Sequence, residues 1–221
     1  MKVDKLMCIN QPSSWLQRIT NECLAEYPIH LVDINQSELV IDLGCNVGGF
    51  SNAFKDRFKN IVAIDASLYN IEQYKKNHNH KTLHNAIHSE DGKILRLKKY
   101  MADGKDDTNS GNFSVVDFVS EINMHGFRGE EYEEVKTICL ETLFKMFGSV
   151  GLLKIDVEGA EFESLYSKDL TFVKFITGEF HNFLGTEKLN KLFNWLEKTH
   201  KEIYSLGDGN VSHFIKMWVL K

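Results

Sequence analysis

The stretch that most constrains this chain is Val40-Ile41-Asp42-Leu43-Gly44-Cys45-Asn46-Val47-Gly48-Gly49-Phe50-Ser51, where an apolar run passes without a break into a glycine-rich turn. Glu38 to Leu43 reads as a strand apolar on both faces, which must be covered from above and below. The glycines let it turn sharply into a helix carrying Phe50, Phe54 and Phe58 at helical spacing. The pattern recurs. Ile61 to Ile64 predicts a second buried strand ending at Asp65, followed by a helical stretch from Ile71. Strands of this kind alternating with helices predict an α/β, Rossmann-like fold: a mostly parallel sheet with helices on both faces.

Further elements extend it. Thr82 to Ile87 predicts a third strand, Val135 to Cys139 an edge or insertion strand and Leu140 to Phe147 a short helix. Gly151 to Val157 and Phe172 to Phe180 predict core strands, and Leu189, Leu192, Phe193 and Leu196 mark an amphipathic helix. Glu202 to Leu206 and Val211 to Leu220 predict a closing antiparallel hairpin of long edge strands. At the other end Trp15, Leu16, Ile19, Cys23 and Leu24 recur at helical spacing, so residues 1–37 form an N-terminal helical segment. Residues 38–221 form the core, with a polar insertion near 91–134 that includes a mobile loop over 104–111, and the 221 residues suffice for one domain.

Composition narrows the function. No apolar run approaches the roughly 18 residues needed to span a bilayer, and Met1-Lys2-Val3-Asp4-Lys5 lacks a signal-peptide core, which predicts a soluble chain. Cys8, Cys23, Cys45 and Cys139 are far apart with no C-x-x-C pair, which fits a reducing, cytoplasmic setting. A net charge of -5 makes nucleic acid an unlikely partner. Pro12 and Pro28 both lie near the N-terminus, so the proline-containing loops of enzymes that methylate base nitrogens, and the Pro-Cys nucleophile of cytosine C5 enzymes, are excluded.

Two clusters carry chemistry. In the glycine turn Asn46 stands where a dinucleotide-binding motif needs its middle glycine, and Asp42 would repel a pyrophosphate but attract an ammonium. Asp65, at the next strand end, can accept hydrogen bonds from ribose hydroxyls. Together these favour S-adenosylmethionine, although the glycines alone would also serve a tight turn and Asp65 could cap the following helix. The second cluster is Leu152-Leu153-Lys154-Ile155-Asp156-Val157-Glu158-Gly159-Ala160-Glu161, with Glu179 and His181 at the next strand end. Asp156, Glu179 and His181 could supply a general base or hold a divalent metal, Mg or Mn. Glu158 and Glu161 could simply cap a helix with Lys154 neutralising them, a reading that for Glu161 stands level with a functional role. His78, His80, His84 and His88 read as surface or packing residues.

The glycine turn Asp42-Leu43-Gly44-Cys45-Asn46-Val47-Gly48 and the stretch Lys154-Ile155-Asp156-Val157-Glu158-Gly159-Ala160-Glu161 resemble the paired signatures of the FkbM-type family of S-adenosylmethionine-dependent methyltransferases. His84-Asn85-Ala86-Ile87, the segment Val135 to Glu141, and Glu179 with His181 resemble further family features, so the likeness runs from about Leu39 to Phe183. It departs at Asp65-Ala66-Ser67, where many members have Glu-Pro, and in the 100–130 region. The resemblance implies a class I methyltransferase fold with seven strands. It also implies O-methylation of a sugar, glycan or natural product. By it, Asp42, Gly44, Cys45, Asn46 and Gly48 would surround the methionine part of the cofactor. Asp65 and Ala66 would hold the ribose, Asn85 and Ala86 would flank the adenine, and Asp156 would lie beside the transferred methyl. A ribose 2'-O-methyltransferase acting on RNA and a non-catalytic cofactor-binding module are the competing readings; oligomeric state is open.

Overall fold

The computed structural model describes residues 14–98, 114–115, 132–182, 185–207 and 213–221. Along the chain lie α1 (Ser14–Glu26), a 3-10 turn (Ile29–Leu31), β1 (Val40–Leu43), α2 (Gly49–Ala53), β2 (Ile61–Asp65), α3 (Leu68–Asn77), β3 (Lys81–His84) and β4 (Ala86–Ile87). They are followed by β5 (Ile94–Lys98), β6 (Ser114–Val115), β7 (Tyr132–Ile138), α4 (Leu140–Phe147), β8 (Val150–Ile155) and α5 (Glu161–Leu165). The chain ends with β9 (Val173–His181), α6 (Thr186–Leu196), β10 (His200–Leu206) and β11 (His213–Leu220).

Seven strands form one sheet in the order β10-β11-β9-β8-β1-β2-β3. β1 pairs in parallel with β2 and β8, β2 with β3, and β8 with β9, while β11 is antiparallel to both β9 and β10. This is the mostly parallel, helix-covered sheet that the sequence pattern predicts, with the seven strands that the family resemblance implies. Strand alternation explains the two-sided cover. Ile41, Leu43, Leu153 and Ile155 face one apolar cluster with Leu143, Leu189 and Leu192 of the helices. Val40 and Leu152 face a second, with Cys23 of α1 and the rings of Phe50 and Phe58. Lying centrally, β1 and β8 put their carboxyl ends, hence both sequence motifs, side by side.

Four expectations need correction. The helix after the glycine turn stops at Ala53, yet Phe50, Phe54 and Phe58 still pack together, with Phe50 and Phe58 stacked at 6.2 Å, because the chain continues in turns with Phe58 N–H on Phe54 O. The expected strand from Thr82 to Ile87 splits at Asn85. β2 ends at Asp65, so Ala86 and Ile87 find no partner beside it and pair with Thr137 and Ile138 of β7, in a smaller sheet ordered β4-β7-β5-β6. Only β10 of the closing hairpin is an edge strand. β11 lies inside the sheet, since Ile215 and Met217 on one face and Trp218 on the other are all buried. Leu24 is 55% exposed, off the buried face of α1. The loop predicted over 104–111 lies outside the described residues. Among the described residues no helix is long and apolar enough to cross a membrane.

Trp218 is fully buried, edge-on to Phe180 at 5.3 Å and 5.6 Å from Phe193. Its replacement by Ala should cost about 3–5 kcal/mol in urea unfolding, whereas Leu206→Ala on the exposed edge should stay within about 0.5 kcal/mol. Equal, small effects would contradict the interior placement of β11.

Candidate active site

The two motifs meet at the carboxyl ends of β1 and β8 through an approach that only glycine allows. Gly44 has φ of +74°, and a Cβ there would stand 1.7 Å from the carbonyl oxygen of Asp156. Beside this contact opens a cleft that runs out to solvent. Its walls are Gly44, Asn46, Asp65, Ala66, Asn70, Asn85 and Ala86 on one side and Asp156, Val157, Glu158 and Ala160 on the other, with Leu43, Ile64, Ile87 and Leu97 contributing apolar surface.

Asn46 takes the left-handed conformation, φ 49°, that asparagine tolerates better than most residues, and its Oδ1 accepts the Val47 N–H at 2.7 Å. Its own N–H is held by Asp65 Oδ2 at 2.8 Å. Asp65 Oδ1 accepts from Ser67 N–H at 2.8 Å and Asn70 Nδ2 at 3.1 Å. A carboxylate offers about four acceptor positions. Three are used within the protein, so Asp65 ties the glycine turn to Ser67, the residue that caps α3, and keeps one position, where the sequence reading had it serving two hydroxyls. Asn70, which sequence reasoning did not single out, borders the cleft with a buried Oδ1 that has no hydrogen-bond partner. Its only sequence signal is its place three residues after the capping Ser67.

Of the residues expected around the cofactor, Gly44, Asn46, Asp65, Ala66, Asn85, Ala86 and Asp156 line the cleft, while Asp42, Cys45 and Gly48 do not. Asp42 is fully buried below it: strand register places Asp42 directly beside Lys154, whose Nζ is 3.1 Å from Asp42 Oδ1. The contact is a charge pair with poor angular geometry, and neither Asp42 oxygen has a hydrogen-bond partner. Cys45 packs with Ala63, Ile71 and Tyr74, and Gly48 faces the ring of His78, whose Nε2 lies 3.1 Å from Gly48 O. His78 is thus a packing residue, as read from the sequence.

Lys154 is the electrostatic hub. It donates to Gly44 O at 2.7 Å and reaches Asp156 Oδ2 at 3.7 Å. Burial works against its charge, but the Asp42 and Asp156 carboxylates outweigh this and hold it protonated above the usual lysine range. Burial also raises the Asp42 carboxyl, against the opposing pull of Lys154. Asp156 is pushed up by burial, Lys154 opposing and Glu179 reinforcing, while its side chain remains 27% exposed to the cleft.

The acid and histidine at the end of β9 join it. One ligand atom each from Asp156, Glu179 and His181 fall within 4.8 Å of one another. His181 Nε2 is 3.2 Å from Glu179 Oε1 and 3.4 Å from Glu158 Oε2, and Nδ1 is 3.0 Å from Glu161 Oε1. Burial opposes charging of this imidazole, but the Glu161 and Glu179 bonds outweigh it and raise its pKa to about 11. Glu158, for which helix capping was one open reading, occupies a left-handed turn, φ 51°, at the cleft wall. The Glu-Gly pair at a strand end is the sequence signal for that turn.

Residues 42–206, about three quarters of the chain, match the family model described as methyltransferase FkbM domain. No curated protein matches the sequence significantly. Among solved structures the chain is similar to an rRNA methylase from Streptococcus thermophilus, at 9% identity over 97% of this chain and 99% of that one, with a TM-score of 0.48. It is also similar to a precorrin-6y C5,15-methyltransferase from Geobacter metallireducens, at 9% identity over 100% and 92% with a TM-score of 0.45. A ribosomal protein L11 methylase from Lactobacillus delbrueckii subsp. bulgaricus gives 10% identity over 94% and 79%, TM-score 0.46. Likenesses this distant carry nothing about substrate.

Replacing Lys154 by Met leaves Asp42 buried without its counter-charge, which should cost about 3–5 kcal/mol at pH 8. A carboxyl whose folded pKa lies above its unfolded value binds protons preferentially in the folded state, so part of that loss should return as pH falls. The double variant D42N/K154M should be more stable than K154M alone; urea titrations at pH 5.5 and 8 that show neither effect would remove the pair from its structural role.

Proposed function

This chain belongs to the FkbM family of S-adenosylmethionine-dependent methyltransferases, and we propose that it transfers the methyl group to a hydroxyl of a sugar, glycan or natural product. The observation that carries the hydroxyl reading is the convergence of Asp156, Glu179 and His181 at the edge of the cleft. Methyl transfer from a sulfonium is an in-line displacement, for which alignment supplies much of the acceleration. A neutral hydroxyl also needs its proton removed or its pKa lowered, and a cluster of this composition is suited to that task.

The cleft fits the cofactor. It offers glycine and alanine where a ligand would contact backbone, and a buried acceptor without a partner in Asn70 Oδ1. Asp65 Oδ2, with one acceptor position left, would take a ribose hydroxyl. Asn85, held by its Nδ2 on Lys136 O at 3.1 Å, and Ala86 would flank the adenine. In this orientation the sulfonium methyl would lie toward Asp156.

Two schemes share the same residues. Asp156, partly open to the cleft and raised above the ordinary carboxylate range, can accept the hydroxyl proton directly, an effect of about 10²- to 10⁴-fold. Asp156, Glu179 and His181 also fit a divalent cation, Mg or Mn, two carboxylates and an imidazole being a hard donor set with one borderline member. His181 would give up its Nε2 proton to bind it. Such an ion, when bound, lowers the pKa of a coordinated hydroxyl.

Asp156, Glu158, Glu161 and Glu179 crowd the transfer end, opposed by Lys154 and His181. This excess of acid favours an uncharged acceptor over a polyanion such as RNA. Cys23, Cys45 and Cys139 are buried free thiols, which supports a reducing, cytoplasmic setting.

Tritium transfer from labelled S-adenosylmethionine to a panel of monosaccharides, glycans and RNA tests the acceptor class, and turnover on RNA alone would overturn it. With an acceptor in hand, Asp156→Asn should lower kcat by about 10²- to 10⁴-fold, far more than it lowers S-adenosylhomocysteine affinity; undiminished turnover removes Asp156 from the chemistry. Activity lost on chelation and restored by Mn²⁺ or Mg²⁺ selects the metal scheme, and full activity in chelator selects the direct base.

A further inference from the structure

We propose that Glu161 is a positioning residue: its buried carboxylate fixes which nitrogen of His181 faces the cleft and pins the turn that carries Glu158. The inference rests on the reading of Asp156, Glu179 and His181 as the transfer site. It separates Glu161 from the helix-capping role open to it in the sequence.

Glu161 is 1% exposed, and a buried carboxylate is tolerated only where its oxygens are satisfied. One oxygen, Oε1, takes the Val157 N–H at 3.3 Å, the Gly159 N–H at 3.1 Å and His181 Nδ1 at 3.0 Å. The first two donors flank Glu158, whose positive φ of 51° is followed by 102° at Gly159, so the carboxylate clamps a turn that the backbone alone disfavours. The third donor comes from β9, on the far side of β8 from β1. A cap would bind only the backbone of its own helix; this side chain crosses to another strand.

The consequence concerns His181. With Nδ1 committed to Glu161, Nε2 is the nitrogen left near Glu179 at 3.2 Å and Glu158 at 3.4 Å. Without Glu161 the ring is free to flip, exchanging the two nitrogens, and the amides at 157 and 159 lose their acceptor. Partners that fix the second nitrogen of a ligating histidine commonly set its orientation in this way.

The test uses the full chain as wild type, E161A and E161Q, labelled with ¹⁵N-histidine. Three readouts are taken: the His181 ring resonances by NMR, Mn²⁺ affinity by electron paramagnetic resonance, and S-adenosylhomocysteine affinity by calorimetry. E161A should lose the hydrogen-bonded Nδ1 proton signal and bind Mn²⁺ about 10- to 100-fold more weakly, with S-adenosylhomocysteine affinity retained. In E161Q the amide oxygen still accepts, so the Nδ1 proton signal should persist but move upfield, with a smaller loss of Mn²⁺ affinity. An E161A protein with wild-type ring resonances and Mn²⁺ affinity overturns the proposal. If the wild type binds no Mn²⁺, the metal scheme fails and the ring resonances alone decide positioning. If E161A does not fold, an unmoved Nδ1 proton in E161Q overturns it and an upfield shift supports it.

Discussion

Gly44 and the Asp156 carbonyl are packed so closely that any side chain at residue 44 would occupy the space of that oxygen. Everything at the site depends on this contact. It joins the ends of β1 and β8, which are hydrogen-bonded neighbours in the sheet, and fixes the distance between the glycine turn and the acid cluster. Lys154 reinforces it by bonding to Gly44 O from the strand that ends in Asp156. The cleft is therefore set by backbone packing, and the side chains around it are placed by rigid strand ends.

Electrostatics adds a second layer. Below the cleft Asp42 and Lys154 form a buried pair, an arrangement that contributes little net stability but is costly to break on one side only. At the transfer end the carboxylates are gathered around His181, each within 3.4 Å of a ring nitrogen for Glu158, Glu161 and Glu179. In the free protein the imidazolium offsets part of their mutual repulsion. Lys154 and His181 thus serve the same purpose from opposite ends of the acid row, which lets Asp156 sit between them, partly open to the cleft.

Much of this was legible in the sequence where one physical rule dominated. The largely apolar runs Glu38 to Leu43, Ile61 to Ile64 and Gly151 to Val157 read as doubly covered strands, which they are apart from a residue or two at their ends, and Leu140–Phe147 kept a clear helical stripe. The convergence of Asp156, Glu179 and His181 followed from their shared place at neighbouring strand ends. What the sequence hid depended on partners. Nothing local to Asn85 says that β2 has already ended, so one strand was expected where two form. A hairpin signal does not say which of its two strands pairs onward with the sheet; β11 does, with β9, and only β10 is left at the edge. Asp42 was expected to face the crevice because it ends a strand, but register puts Lys154 beside it and turns it inward. Glu158 and Asn70 carried signals for a turn and a cap, and only the packed fold brings them to the cleft wall.

The central claim is that the cleft between the glycine turn and the acid cluster holds an adenosyl cofactor without a pyrophosphate. Thermal unfolding with S-adenosylhomocysteine and NAD in parallel tests it most directly. A ligand at 100 times its dissociation constant adds about 2.7 kcal/mol to the native state, which moves a chain of this size by several degrees. The account predicts such a rise with S-adenosylhomocysteine and none with NAD. A rise with NAD alone, or with neither ligand at saturating concentration, would contradict it.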